Sequence, residues 1–239
     1  MPGLLMAIRA FPCQGLDDRI TVGINTLVSH VGALQPLFKY LCNGNISFLV
    51  LVCMLLSFWF QGGELAHRQR ERVVGGLAAG LVAMFICRVL ALGLPFRTRP
   101  LAATQLHLVD FHVTDALRTW SSFPSDHSAL AFTLAVTLWG LSKRAGFVGF
   151  LIAVLLVDLP RLAMSLHWAS DLVAGALLGT AVSAVFLLTK PSGWVASKVL
   201  PLESRSPSLF YGIFFGYLFE LVIQFNDLRG FAVALFRAL

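Results

Sequence analysis

His167 and Asp171 stand four residues apart in RLAMSLHWASD, the stretch that runs from Arg161 to Asp171. On a helix that spacing puts both on one face, one turn from each other. A carboxylate so placed accepts an imidazole N–H, fixes the tautomer and leaves the other ring nitrogen free to attack. Arg161, at the head of the stretch, carries a planar positive fork suited to phosphate oxygens. A second stretch, Pro124-Ser125-Asp126-His127-Ser128, predicts a helix start capped by Ser125. The backbone N–H groups of Asp126, His127 and Ser128 then point out of the helix end as an anion cradle. Asp126 suits that positive end provided its side chain turns away from the anion. His127 is placed to donate a proton to a leaving oxygen. A third stretch, Pro95-Phe-Arg-Thr-Arg-Pro100, adds Arg97 and Arg99.

Each residue alone has a plainer reading. A lone arginine at a membrane margin is more often a headgroup anchor whose stem snorkels, and a lone His127 more often caps a helix or bonds a neighbouring one. What favours chemistry is the joint occurrence: a candidate nucleophile, its orienting carboxylate, an acid and several cations at the same end of successive segments. Ionisable groups are costly there and mark a site. A rival cluster, His107, Asp110, His112 and Asp115 in HLVDFHVTD, is ligand-capable by residue type. It reads as solvated loop residues, with a structural or regulatory metal as the alternative. No metal-ligand set is read among the catalytic residues, and no cofactor is expected.

The elements that position these residues cross a membrane. Of 239 residues, 57% are hydrophobic and only 13% charged, and the mean hydropathy is +0.80. A soluble domain carries about 25% charged residues. The apolar excess comes in blocks near the ~20 residues a bilayer requires. Six spans are expected, near 46–60, 73–95, 127–142, 146–163, 168–189 and 208–225. The fold class is an all-α polytopic bundle of about six transmembrane helices, residues 46–239, preceded by an N-terminal segment, 1–45. Within that segment Val22, Ile24, Leu27, Val28, Val31 and Leu34 recur at near-helical spacing, which suggests a helix lying on the membrane surface. No signal peptide is evident at the N-terminus, and Cys13, Cys42, Cys53 and Cys87 show no metal-ligand spacing.

The net charge of +6 is no nucleic-acid footprint, because its Arg and Lys sit in short loops between apolar blocks. Arg68, Arg70 and Arg72, then Lys143 and Arg144, then Lys190, Lys198 and Arg205 fall on one side if six spans alternate. That side is expected to be the cytoplasm. Arg97, Arg99, Arg118, His127, Arg161 and His167 then face outward, towards the periplasm or exterior of a cell (inner) membrane.

The order Arg99-Pro100, then Pro124-Ser125-Asp126-His127, then Arg161, His167 and Asp171 resembles the type 2 phosphatidic acid phosphatase superfamily of membrane lipid phosphatases, over roughly residues 88–175. The resemblance implies a metal-independent hydrolase working through a phosphohistidine, with His167 as nucleophile, Asp171 as its orienter and His127 as acid. It also implies that Arg99, Ser125 and Arg161 hold phosphate oxygens. Three positions depart from the pattern. Leu92 stands where a lysine is usual, with Arg97 expected to replace its charge and Arg88 as the alternative. Asp126 stands where glycine is usual, although members acting on undecaprenyl diphosphate commonly show Pro-Ser-Asp-His. Pro160 stands where a serine is usual. The expected partner is a lipid phosphate or diphosphate among membrane lipids, undecaprenyl diphosphate first. Phosphatidylglycerophosphate, phosphatidate or lipid A phosphatases and a lipid phosphotransferase are the alternatives. A non-enzymatic lipid-phosphate transporter is the reading from another class; the His167–Asp171 pair argues against it, since binding alone needs only cations.

Overall fold

A computed structural model describes residues 13–109, 120–189 and 191–238 of the chain. The described residues are helical: α1 (Gln14–His30), α2 (Leu34–Asn43), α3 (Ile46–Trp59), α4 (Ala66–Gly93), α5 (Asp126–Leu141), α6 (Lys143–Ile152), α7 (Leu159–Ala163), α8 (Ala169–Leu188), α9 (Pro191–Arg205), α10 (Pro207–Val222) and α11 (Asn226–Ala238). A π-helical stretch, Ala153–Asp158, joins α6 to α7, so Lys143–Ala163 runs as one 21-residue helix.

Three helices are long and apolar enough to cross a membrane: α4, the α6–α7 helix and α8. The pair α2 and α3, bent by 61°, makes a fourth if it counts as one span. The protein is therefore an all-helical integral membrane protein with three to four candidate spans among the described residues. The other two segments expected to cross are α5 and α10, each of 16 residues.

Helix α5 is the centre of the bundle. Ala129, Leu130, Ala131, Leu134, Ala135 and Leu138 are all fully buried against α4, α6 and α8, while Trp139 reaches the outside. Its close packing against α8 depends on Gly175 and Gly179. A Cβ at Gly179 would lie 2.1 Å from the Ala129 carbonyl oxygen, and one at Gly175 would lie 2.3 Å from that of Ser125. Gly179→Ala is expected to lower the Tm of the detergent-solubilised protein, at a cost of about 1–3 kcal/mol from overpacking. Gly212→Ala, where nothing lies within 4 Å of the added Cβ, should leave the Tm unchanged or raise it. Equal melting of the two variants would contradict this account of the α5–α8 contact.

The two ends of the bundle differ chemically. At one end the α3–α4 connection meets α9: Arg70 forms a 2.9 Å ion pair with Glu203 and donates to the Trp59 carbonyl. Arg72 donates to the Gly140 carbonyl close by, so the basic connections expected on one side do share an end. The opposite end gathers the C-terminus of α4, the N-terminus of α5 and the α7–α8 turn.

Helix α1 lies against α7 and α8 at that opposite end. Asp17, Thr21, Asn25 and Val28 are buried there, whereas Leu16 and Leu27 are about 60% exposed, so three polar side chains face protein. Of the periodic apolar residues expected to lie on the membrane surface, Val28 is buried against protein, whereas Leu27 and Val31 are exposed.

Candidate active site

His167 sits in the turn between α7 and α8 and is 3% exposed. The turn is shaped by Ser165, whose φ of 58° lies in the left-handed region that a non-glycine residue seldom adopts. It is held by Leu101 N–H donating to the Ser165 carbonyl and Leu166 N–H donating to the Arg161 carbonyl, each at 2.9 Å. The imidazole is fixed from both sides. Nδ1 lies 2.9 Å from the Ser122 carbonyl oxygen and Nε2 lies 3.0 Å from Nη1 of Arg99. A carbonyl only accepts and a guanidinium only donates, so Nδ1 carries the proton and Nε2 presents its lone pair.

The Asp171 carboxylate is 3.6 Å from Nδ1, near enough to stabilise a positive ring but outside hydrogen-bond range. The i, i+4 spacing thus brings the pair together, yet Ser122 makes the orienting bond. The reason is local: α8 begins only at Ala169, and Asp171 folds back to take the Trp168 N–H at 2.9 Å. Burial, and then the Arg99 guanidinium, push the His167 pKa below its usual value against the opposing pull of Asp171.

His127 is fixed by Asp126 in the same manner. Its Nδ1 lies 2.8 Å from Asp126 Oδ1, which also accepts the His127 backbone N–H, and Asp126 Oδ2 accepts from Arg88 at 3.3 Å. Arg88 lies over the Trp120 ring, 4.6 Å from its centroid. The His127 and His167 ring centroids are 6.5 Å apart. Ser125 caps α5 as expected, its Oγ accepting from Ser128 N–H at 3.3 Å. The expected cradle is consequently filled in large part from within: of its three N–H groups, that of His127 is taken by Asp126 and that of Ser128 by Ser125. Short polar side chains beside a helix start compete for those donors.

The arginines separate into two kinds. Arg99 and Arg161 are buried beside the histidines, Arg99 donating to the Leu166 carbonyl and Arg161 to the Val157 carbonyl of its own helix. Arg97 is turned to carboxylates: it pairs with Asp171 at 2.5 Å and with Asp17 of α1 at 2.6 Å. Its charge is neutralised there, whereas Arg88 stands next to the His127 pair. Leu92 is 81% exposed, one turn beyond Arg88 on the same helix. Pro160 is buried in α7.

His107 is exposed; Asp110, His112, Asp115 and Arg118 lie outside the described residues. Among the described residues no three His, Cys, Asp or Glu side chains gather as a metal-binding group. Sequence reasoning missed Asp17 and Ser122. The signal for Asp17 was the polar stripe 17, 21, 25 at helical spacing in α1; a backbone carbonyl such as that of Ser122 leaves no signal.

The three stretches that build this site all lie within residues 72–193, just over half the chain, which match the family profile of the PAP2 superfamily. The chain belongs to that superfamily. It is accordingly a PAP2-family lipid phosphatase, a metal-independent hydrolase of phosphoric esters or anhydrides. The "Bacitracin transport permease protein BcrC" of Bacillus licheniformis is similar to it, at 27% identity over 180 residues, 74% of this chain and 78% of the relative. The "Lipid A 1-diphosphate synthase" of Escherichia coli K12 is 28% identical over 152 residues, covering 61% and 62%. The "Undecaprenyl-diphosphatase BcrC" of Bacillus subtilis is 23% identical over 171 residues, covering 72% and 82%. No solved structure matches the chain significantly. The PAP2 match begins in α4, so α1, with Asp17, lies outside it.

Proposed function

We propose that this PAP2 protein hydrolyses a membrane lipid diphosphate, undecaprenyl diphosphate first, through a phosphohistidine at His167. The observation that carries this reading is the pair of neighbouring histidines, each held at Nδ1 by an oxygen acceptor. His167 presents a bare Nε2 beside Arg99, and His127, with its Nδ1 held by Asp126, stands 6.5 Å away. In the first step Nε2 forms a bond to the terminal phosphorus while the bridging P–O bond breaks. His127 gives a proton to the departing lipid phosphate. In the second, His127 takes a proton from water as that water displaces Nε2, releasing inorganic phosphate and restoring both rings. Arg99 and Arg161 balance the charge on the equatorial oxygens. Ser125 and Asp126 act by holding the α5 start and the His127 ring. Arg88, on the leaving-group side with Asp126, takes the second phosphate, and Arg97 serves Asp171. Relatives named undecaprenyl-diphosphatase support the substrate.

The relative named lipid A 1-diphosphate synthase favours a second reading, transfer of the phosphoryl group to another lipid instead of water. The test is phosphate release by purified protein in EDTA from undecaprenyl diphosphate, phosphatidate, phosphatidylglycerophosphate and lipid A. Release is expected foremost from the diphosphate. A requirement for added Mg²⁺ or Zn²⁺, or no release from any lipid, would overturn it; release only when an acceptor lipid is added would favour transfer. Activity should fall as pH drops through the lowered pKa of His167, below the ordinary ~6.5, because protonation of Nε2 removes the nucleophile.

Six spans follow if α5 and α10 also cross, α5 being shorter than ~20 residues because other helices shield it from lipid. We place the site on the outer face, by the basic residues at the other end. With native cysteines replaced, Gln105→Cys should react with a membrane-impermeant thiol reagent in intact cells and Arg68→Cys only after lysis. The reverse pattern would overturn the orientation and the outer-leaflet substrate.

A further inference from the structure

We propose that α1 is a working part of the catalytic site, with Asp17 a positioning residue that acts on His167 through Arg97 and Asp171. This rests on the reading of His167 as nucleophile, and it extends the site into a helix outside the family match.

The observations form one connected chain. Asp17 is 2% exposed, Arg97 3% and Asp171 0%. Arg97 Nη2 donates to Asp17 Oδ2 at 2.6 Å, and Nη1 donates to Asp171 Oδ1 at 2.5 Å. Asp17 also reaches the first turn of α8 directly: Oδ1 accepts the Ser170 backbone N–H at 2.9 Å and Oδ2 the Ser170 hydroxyl at 2.5 Å. Ser170 Oγ in turn accepts from Arg97 Nη1 at 2.7 Å. Asp171 is thereby held on one oxygen by Arg97 and on the other by the Trp168 N–H, which leaves it beside His167 Nδ1.

A second anchor two turns along α1 grips the turn that carries the nucleophile. Asn25, 2% exposed, donates to Ser165 Oγ at 3.1 Å and to the Ala163 carbonyl at 3.4 Å. It also exchanges bonds with the backbone of Val109. Ser165 is the residue held at φ 58°, a conformation that persists only where its surroundings over-determine it. An isolated buried carboxylate is very costly, so Asp17 is tolerable only because Arg97 and Ser170 meet it. A helix that served only to rest on lipid would need neither anchor.

Electrostatics make the role testable. The charged or titratable groups around the His167 ring are Arg99 from the α4–α5 connection, Asp171 from α8, and Asp126 and His127 from α5. Arg97 touches Asp171 directly, and Asp17 is one link further out. Asp17→Asn leaves Arg97 with less compensation, so the potential at His167 becomes more positive and the imidazolium is disfavoured. The acid limb of kcat/KM should then move to lower pH. The double variant Asp17→Asn/Arg97→Gln removes the nearer positive charge as well, so the limb should move to higher pH. Shifts of about half a unit or more are expected for charges this near in a poorly solvated site.

The experiment uses the full-length protein in detergent, with phosphate release from farnesyl diphosphate and undecaprenyl diphosphate across a pH series. Asp17→Asn should lower kcat about tenfold or more with KM within about twofold, the signature of an effect on the reacting group and not on binding. Asp17→Glu should recover part of kcat. Opposite displacements of the acid limb in the two Asn variants support the proposal. The double variant, which leaves no orphaned Arg97 charge, keeps the test decisive if the single variant does not fold. Wild-type turnover with both acid limbs unmoved, or a loss confined to KM, overturns the role of Asp17 and leaves the phosphatase reading standing. A wild-type protein that releases no phosphate overturns both.

Discussion

His167→Ala is expected to reduce phosphate release by at least about 10⁴-fold, the scale on which loss of a covalent nucleophile is felt. The His167 Nε2 is held unprotonated by contact with a cation, Arg99 at 3.0 Å, while Ser122 claims the proton on Nδ1. No neighbouring side chain can substitute, because the His127 ring is turned by Asp126 to a different task and stands 6.5 Å away. The variant should remain folded and membrane-inserted. What it leaves behind is an unpaired Ser122 carbonyl and a loosened Arg99, a cost of about 1–3 kcal/mol in a bundle whose core lies elsewhere. Two readouts are needed together: the Tm in detergent, and incorporation of phosphate from a labelled diphosphate into an acid-labile, alkali-stable protein adduct. Near wild-type release by a folded His167→Ala protein would remove the mechanism.

Arg88→Ala and Arg97→Ala should both be damaging, in different ways. Arg88 is about one-third exposed, stacked on Trp120 and 3.3 Å from Asp126. Its removal should raise KM for a lipid diphosphate at least about tenfold, the loss of one charge-assisted contact, while the protein stays folded. Arg97 is walled in between Asp17 and Asp171. Its removal leaves two buried carboxylates facing each other, and breaking a buried ion pair in this way costs about 3–5 kcal/mol. Arg97→Ala should therefore lower Tm and kcat together. The KM-against-kcat split separates the two roles: a KM effect from Arg97 with a silent Arg88 would return the phosphate contact to Arg97.

Much of this protein was legible in its sequence because the deciding signals are local. Apolar blocks of membrane length marked α4, the α6–α7 helix and α8, since a helix satisfies its own backbone hydrogen bonds where water is absent. The Ser125 cap was readable from four consecutive residues. The motif order assigned Arg99, His127, Arg161, His167 and Asp171 to one end, and the structure does assemble them there. Basic residues in short connections marked the other end, now seen joined through Arg70 and Glu203.

What only the tertiary structure decided is who holds whom. The sequence favoured Arg97 over Arg88 as the cation replacing the lysine at Leu92; what holds Arg97 is Asp17, 80 residues away in the chain, which meets Arg97 and not Arg88. The orienting bond to His167 comes from the Ser122 carbonyl, 45 residues away, and every residue has a carbonyl. The direction of α1 was equally undetermined. Its apolar and polar stripes were visible, but periodicity does not say which one faces protein. The side with Asp17 and Asn25 turned in because Arg97 and Ser170, and Ser165 and the Ala163 carbonyl, were there to meet them.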